Sequence, residues 1–279
     1  MSGCLFVVGL PIGNLKDITL RALEVLKKVK FIVCEDTRSI KRLLNHYQCG
    51  SKKLISFYKD VEREKEEKIL QLLKNGEDVV LVSEAGTPLI SDPGAWLVKK
   101  AHQENIKVVP VPGVSALTCA LSVAGVSLQK GFIFLGFLPR EFNRQQEILK
   151  RLPQDLPLII FEAPHRLSKT AENLIKILGN RECFLARELT KLHEELTWTD
   201  LQKLCKKEKF KGEITLIIMP PPSSEKEEIS EEEILKFAEK FLKLGIKKKE
   251  VAKIIAEEFK ISSKEAYKFL TDKNRLSTS

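Results

Sequence analysis

Three glycine/proline strings and three strings of mixed charge hold the residue types suited to chemistry. The first loop string is Val8-Gly9-Leu10-Pro11-Ile12-Gly13-Asn14-Leu15. The second covers residues 83–94 and includes Glu84, Ala85, Gly86 and Thr87, and the third is Pro110-Val111-Pro112-Gly113-Val114-Ser115-Ala116. Glycine and proline remove side-chain bulk and fix the backbone, which suits a loop face packed on an apolar or zwitterionic ligand. A pyrophosphate fits less well, because neither G-x-G-x-x-G nor the G-K-[ST] of a P-loop is present. The charged strings are Glu35-Asp36-Thr37-Arg38, Glu162-Ala163-Pro164-His165-Arg166 and Ala186-Arg187-Glu188-Leu189-Thr190-Lys191. Arg38, Arg140, Arg166 and Arg187 carry forked guanidinium donors that match phosphate oxygens.

Four of the six strings also have a plainer reading. The first loop is compatible with an ordinary βα turn and the second with a long connector. Glu35 to Arg38 reads equally as a helix start whose acids suit the dipole. Pro164-His165-Arg166 reads as a capped turn with His165 on a backbone carbonyl. His193-Glu194-Glu195-Leu196-Thr197 misses the second histidine of H-E-x-x-H, and six scattered cysteines form no C-x-x-C pair. No structural metal is expected, and the cysteines read as buried thiols of a reducing compartment.

The loops must be positioned by alternating strands and helices. Apolar runs at residues 5–9, 31–34, 79–83 and 106–109 read as strands, and amphipathic stretches at 19–28, 39–47, 61–74 and 95–103 as helices, with Asn75-Gly76 closing the third. This is the pattern of parallel strands with helical crossovers. Each loop then leaves a strand and enters a helix, where open α/β sheets bind ligands, so the three converge on one crevice. Pro93 suits a first helical turn and Ser115 an N-cap.

After a small-residue helix at 116–123, strands at 131–136, 158–162, 183–187 and 213–219 alternate with helices at 141–152, 167–178 and 200–207. The fold class is therefore α/β, with an N-terminal α/β domain over 1–125 and a second over 126–219. Pro220-Pro221-Pro222 with Ser223-Ser224 makes a stiff linker over 220–229. A helical tail over 230–279 opens on a Ser230/Glu233 capping box, stops its first helix at Gly245, and continues with helices at 247–259 and 263–270. From Lys240 onward the tail has 11 basic and 5 acidic residues, and the whole chain has a net charge of +9. That balance suits a polyanionic partner, and it is equally what a lysine-rich composition gives without one. Lys247-Lys248-Lys249 reads either as an RNA contact or as a solvated helix start. No run approaches the roughly 20 apolar residues of a membrane span, and the apolar run at 5–10 has no basic flank, so a soluble cytoplasmic protein is expected.

Pro11-Ile12-Gly13-Asn14-Leu15 with Asp17-Ile18-Thr19, Glu35-Asp36-Thr37-Arg38, residues 85–94, Pro112-Gly113-Val114-Ser115-Ala116, Gly136-Phe137-Leu138-Pro139-Arg140, Glu162-Ala163-Pro164-His165-Arg166-Leu167 and Ala186-Arg187-Glu188-Leu189-Thr190-Lys191 occur in one order. Together they resemble the ribosomal RNA small subunit methyltransferase I family of the tetrapyrrole methylase superfamily, over residues 5–219. The basic tail is similar to that family's C-terminal domain. The resemblance implies methyl transfer from S-adenosylmethionine to the ribose 2'-hydroxyl of a cytidine in the decoding region of small-subunit ribosomal RNA. It implies a homodimer, with the cofactor in the cleft between the two α/β domains. By carry-over, Pro11, Ile12, Glu84 to Thr87, Ser115 and Ala116 contact the cofactor, largely through backbone, and Phe161 and Ala186 close over the adenine. Leu10 stands where a small or hydroxyl residue is expected, and Glu84 where the family usually has Asp.

A base must accept the hydroxyl proton. Glu35, Asp36, Glu162, Glu188 and Lys191 are the candidates, with Arg38, Arg166 and Arg187 as phosphate or charge-holding partners. Lys191 is the first choice, on condition that burial or neighbouring cations lower its pKa. Two other functions fit the same fold: methylation of a cobalamin or sirohaem precursor, which the arginine strings and basic tail argue against, and RNA binding without catalysis.

Overall fold

The computed structural model describes residues 2–57, 62–206, 210–222, 231–259 and 262–271. Residue contacts divide the chain into two units, Met1–Pro220 and Pro221–Ser279.

In the first unit, β1 (Cys4–Val8), β2 (Phe31–Cys34), β3 (Lys53–Ser56), β4 (Val79–Leu81) and β5 (Lys107–Val111) form a parallel sheet in the order β3-β2-β4-β1-β5. Alternate residues of the central strands enter different cores, as the period of two requires. Val8, Ile32 and Val80 pack with Ala22, Leu26, Ile40 and Leu44 from α1 (Leu20–Lys28) and α2 (Thr37–His46). Leu5, Val33 and Val79 pack with Ile69, Leu73, Leu97 and Ala101 from α3 (Glu62–Lys74) and α4 (Ala95–Gln103). Helices on both faces explain why β2 and β4 are continuous apolar runs, and the expected parallel layer is borne out. The Thr19 side chain caps α1 by accepting from the Ala22 N–H at 3.2 Å. Gly76, at φ +87°, ends α3 as the Asn75-Gly76 pair predicts. Pro93 differs from expectation: Gly94 is the N-cap of α4, so the proline precedes the helix.

The second sheet is mixed. β6 (Ile133–Phe137), β7 (Leu158–Glu162), β8 (Glu182–Arg187), β9 (Glu195–Asp200) and β10 (Ile214–Ile218) lie in the order β6-β7-β10-β8-β9, and only β6 and β7 pair in parallel. One face buries its apolar side chains under three helices: Ile160, Leu185 and Leu216 meet Leu149, Leu174 and Leu201 of α6 (Phe142–Lys150), α7 (Leu167–Leu178) and α8 (Leu201–Lys206). The other face meets α5 (Ala116–Ala124), whose Ala120 and Ala124 pack on Ile159, Phe184 and Ile217. The helix leaving the third loop therefore joins the first sheet to the second, and its alanines permit close approach. β3 and β9 are strands that the sequence pattern does not single out.

The second unit contains α9 (Glu231–Leu242), α10 (Lys248–Glu258) and α11 (Ser263–Thr271) around Ile234, Ala238, Val251, Ile255 and Leu270. The Gly245 N–H donates to the Leu242 carbonyl at 3.0 Å, at the point where the sequence pattern stops the first tail helix. The Ser230/Glu233 box, Ser223-Ser224 of the linker, Val61 and Lys207 lie outside the described residues or side chains. No helix among the described residues is long and apolar enough to cross a membrane.

Candidate functional site

Backbone contacts stitch the three loops together. The Leu10 N–H donates to the Gly86 carbonyl at 2.8 Å, and the Gly86 N–H returns to Leu10 at 3.1 Å. The Thr87 hydroxyl donates to the Val114 carbonyl at 2.9 Å. Gly9 and Gly113 touch backbone to backbone: a Cβ added at either would lie 2.8 Å or 2.6 Å from the other, so neither position admits a side chain. The Asn14 N–H donates to the Thr190 hydroxyl at 3.1 Å, tying the first loop to the turn after β8. In the second loop Leu89 and Ser91 hold φ of +72° and +73°. Such conformations cost about 1–2 kcal/mol each in non-glycine residues and cluster where a loop's shape matters for function.

The loops open onto a cleft of about 410 Å³. Its first wall is Ile12, residues 84–87 and 90–92, and Ser115 with Ala116 at the start of α5. Its second wall is Phe137, Phe161 to Pro164, Ala186, Leu189 and Gly212 to Thr215. Antiparallel pairing sets Ile214 opposite Glu162 and Thr215 opposite Phe161, which brings the β10 start into the wall. Phe161 meets Phe134 and Phe137 edge-on at 5.0 Å and 5.8 Å between ring centres, and Phe137 is 54% exposed.

Residues 4–205 match the sequence model of the family described as tetrapyrrole (corrin/porphyrin) methylases. The chain is 45% identical over 219 residues to the Ribosomal RNA small subunit methyltransferase I of Thermotoga maritima, covering 77% of this chain and 98% of that one. It is 36% identical over 276 residues to the protein of that name from Halalkalibacterium halodurans, covering 95% and 93%. The chain belongs to the ribosomal RNA small subunit methyltransferase I group of the tetrapyrrole methylase family. The resemblance read from the loop and charged strings is thus borne out. Solved structures share the family fold at low identity. A diphthine synthase aligns with a TM-score of 0.60 at 18% identity, covering 78% of this chain and 90% of that one. A uroporphyrin III C-methyl transferase from Thermus thermophilus gives 0.57 at 19%, covering 77% and 97%.

Within this methylase-family cleft, every position expected to contact a cofactor lines the wall except Pro11, which is buried beside the Leu10–Gly86 bridge. Leu10 turns its side chain into the core with Ala22, Leu26 and Val80, so a large residue is accommodated there. Glu84 is exposed and accepts from the Ser39 hydroxyl at 3.3 Å. Ser115 occupies the N-cap of α5, but its side chain makes no capping hydrogen bond. The helix start thus faces the cleft without its own cap.

The charged candidates separate. Of Lys191, Glu162, Arg166, Arg187, Glu35, Asp36 and Arg38, only Glu162 lines the cleft, and its carboxylate is fully engaged. It accepts from the Ala163 N–H at 2.7 Å and the Thr170 hydroxyl at 2.5 Å, and pairs with Arg166 at 3.3 Å. Arg166 also donates to the Leu138 carbonyl at 2.8 Å. Lys191 donates to Glu188 at 2.8 Å and Glu213 at 2.9 Å. Burial lowers its pKa, but the two carboxylates outweigh burial and hold it above the ordinary lysine value. The condition set for Lys191 as a base is therefore not met. Arg187 pairs with Glu195 at 2.8 Å across β8 and β9. Asp36 caps α2, accepting from the Arg38 N–H at 2.8 Å, and Arg38 itself is exposed, so this string follows the helix-start reading. Glu188 lies beside the wall, its carboxyl held low by the hydrogen bond from Lys191.

Asp92, within the second loop, was not singled out from sequence. It lines the cleft, and burial pushes its carboxyl up to about 6, helped by the charges of Glu35 and Glu84 against a hydrogen bond from Ser83. Gly212 to Thr215 also line the wall and lie outside the loop and charged strings.

Proposed function

We propose that the chain transfers a methyl group from S-adenosylmethionine to the ribose 2'-hydroxyl of a cytidine in small-subunit ribosomal RNA. The observation that carries this reading is the cleft built from three interlocked loops and the strand ends of the second sheet. Its volume of about 410 Å³ is in the range of small-molecule sites. Its contents fit the cofactor group by group. Phe137 and Phe161 offer aromatic surface to an adenine. The start of α5 at Ser115, with no side-chain cap, favours a carboxylate. Glu84 in the wall, which among the described residues accepts from the Ser39 hydroxyl and meets no cation, favours a positively charged sulfur. When bound, the cofactor supplies an electrophilic methyl on that sulfur.

The chain's own contribution is alignment and proton removal. Loops locked by the Leu10–Gly86 and Thr87–Val114 bonds keep the acceptor oxygen in line at little entropic cost. Asp92 is assigned as the base: it lines the cleft, has no cationic partner among its perturbing groups, and titrates near 6, so its basic form dominates at neutral pH.

RNA as the substrate is supported by the names of the relatives and by the net charge of +9. The tail adds to this, since Lys247, Lys248 and Lys249 stand exposed at the start of α10, where the helix dipole disfavours cations. A homodimer is supported by the edge strand β9, which exposes Leu196 and Trp198, and by the nearby Leu192 at 93% exposure. A cytoplasmic location agrees with six free thiols, of which burial pushes Cys34 and Cys183 up to about 12.

The test is to incubate the protein with labelled S-adenosylmethionine and small ribosomal subunits lacking the modification, then digest the RNA. Label in 2'-O-methylcytidine is expected. Cofactor binding without label in RNA points to a small-molecule methylase, and RNA binding without cofactor binding points to a non-catalytic protein.

A further inference from the structure

A second pocket, of about 230 Å³, lies between α6 and α7. We propose that it holds one backbone phosphate of the RNA strand whose nucleotide enters the cleft, an inference that rests on the RNA reading above.

The lining carries four basic side chains, Arg140, His165, Arg166 and Lys169, and no acidic one. Three of them come from the turn and first coil of α7, and Arg140 leads into α6. Arg166 is fixed by Glu162 at 3.3 Å and the Leu138 carbonyl at 2.8 Å, with 19% of its side chain exposed. Lys169 pairs at 2.8 Å with Glu172, which also takes Lys176 at 2.7 Å, so two lysines share one carboxylate outside the lining. Arg140 and His165 have no hydrogen-bond or ionic partner among the described residues.

The floor is polar and buried. Gln145, Thr170 and Asn173 are only 1%, 2% and 4% exposed. The Asn173 amide donates to Gln145 Oε1 at 3.0 Å, and Gln145 Nε2 donates to the Pro139 carbonyl at 2.6 Å. Each amide group thus spends one of its two N–H donors, leaving the other for a ligand acceptor. Arg166 sits at the N-cap of α7 without a side-chain capping bond, so the positive end of a 12-residue helix adds to the field. Forked and point cations over amide donors match a singly charged phosphodiester with two free oxygens.

The place matters as much as the chemistry. Glu162 lines the cleft and, through Thr170 and Arg166, holds the pocket floor and rim. The two sites are therefore joined by residues 162–166, close enough for neighbouring groups of one strand.

The experiment uses the full chain and a small-subunit RNA fragment that the parent protein binds. Arg140→Ala/Lys169→Ala is compared with Lys99→Ala/Lys107→Ala, a pair of exposed lysines on α4 and β5. Loss of one phosphate contact lowers the slope of log affinity against log salt by about 0.7 for a single strand. That drop is expected in the pocket pair beyond the control pair, with a higher KM for RNA and unchanged cofactor affinity. Arg140→Lys, which keeps the charge, is expected to restore the slope relative to Arg140→Ala. Equal slopes in pocket and control pairs overturn the pocket while leaving the RNA reading standing. A parent chain that neither binds nor methylates RNA overturns that reading first.

Discussion

The acids at the ends of the two sheets live under different electrostatic regimes. On the second sheet Glu162 meets Arg166, Glu188 and Glu213 share Lys191, and Glu195 meets Arg187. On the first, Glu84 accepts from a serine hydroxyl and Asp92 is pushed up partly by the charges of Glu35 and Glu84. Among the described acids at the carboxyl ends of its strands, only Asp36 pairs with a cation, and Arg38 is 87% exposed. A carboxylate with a fixed cation strongly prefers its charged form and serves to hold strands and turns in place. One raised by burial and like charges exchanges its proton near neutral pH. The second sheet therefore supplies the rigid wall of the cleft, and the first supplies the group able to take a proton.

Glu162→Ala gives the largest expected effect. It leaves the Arg166 guanidinium and the Thr170 hydroxyl without their partner in a buried setting, a loss of about 3–5 kcal/mol for a broken buried pair. Urea unfolding followed by circular dichroism measures it. A midpoint that barely moves removes the structural role assigned to the compensated acids.

Asp92→Asn is expected next, lowering kcat about 100-fold, the lower end of general-base contributions, with cofactor affinity little changed. The parent rate should fall as pH drops through about 6, because the carboxyl gains its proton there and ceases to be a base. The variant profile should be flat in that window. An inflection that survives in Asp92→Asn assigns the proton to another group.

Lys191→Ala probes the opposite regime with a smaller effect on turnover. The inflection near 6 should persist, since Lys191 is held above its ordinary value and stays charged throughout that range. Acid stability should change instead. Glu188 is held low by Lys191, so its contribution is present above the ordinary carboxylate range and is lost as pH falls through the lowered value. Without the lysine that contribution shrinks, so stability at neutral pH falls and depends less on acid, and unfolding curves recorded across the acid range show the difference.

Much of this was legible in residue patterns. Phe31 to Cys34 and Leu158 to Ile160 are buried apolar runs that only interior strands support. β3 and β9 escaped because neither of these edge strands is a continuous apolar run: Glu195 to Asp200 alternates charge and hydroxyls with exposed Leu196 and Trp198. The three loops were readable from glycine and proline, while Gly212 to Thr215 reach the cleft only through the β7–β10 register, a long-range pairing with no local signature. Asp92 was hidden for another reason. Its raised value comes from burial and from Glu35 and Glu84, which the fold gathers from separate strand ends.

The smallest expected effect isolates burial as the cause of these differences. The Asp36–Arg38 and Glu162–Arg166 pairs have the same 3.3 Å separation, so distance alone predicts equal coupling. Side-chain exposure is 87% and 29% in the first pair, against 19% and 0% in the second. Water screens the exposed pair and holding the long Arg38 side chain costs entropy, so Arg38→Ala should leave the urea midpoint unchanged within error. Asp36→Ala should lower it slightly, because the cap bond to the Arg38 N–H is lost whatever the guanidinium does. A double-mutant cycle should therefore give coupling near zero at Asp36–Arg38 and a clear coupling at Glu162–Arg166. Equal couplings would mean that separation, rather than burial, sets which acids are compensated, and the contrast between the two sheet ends would lose its physical basis.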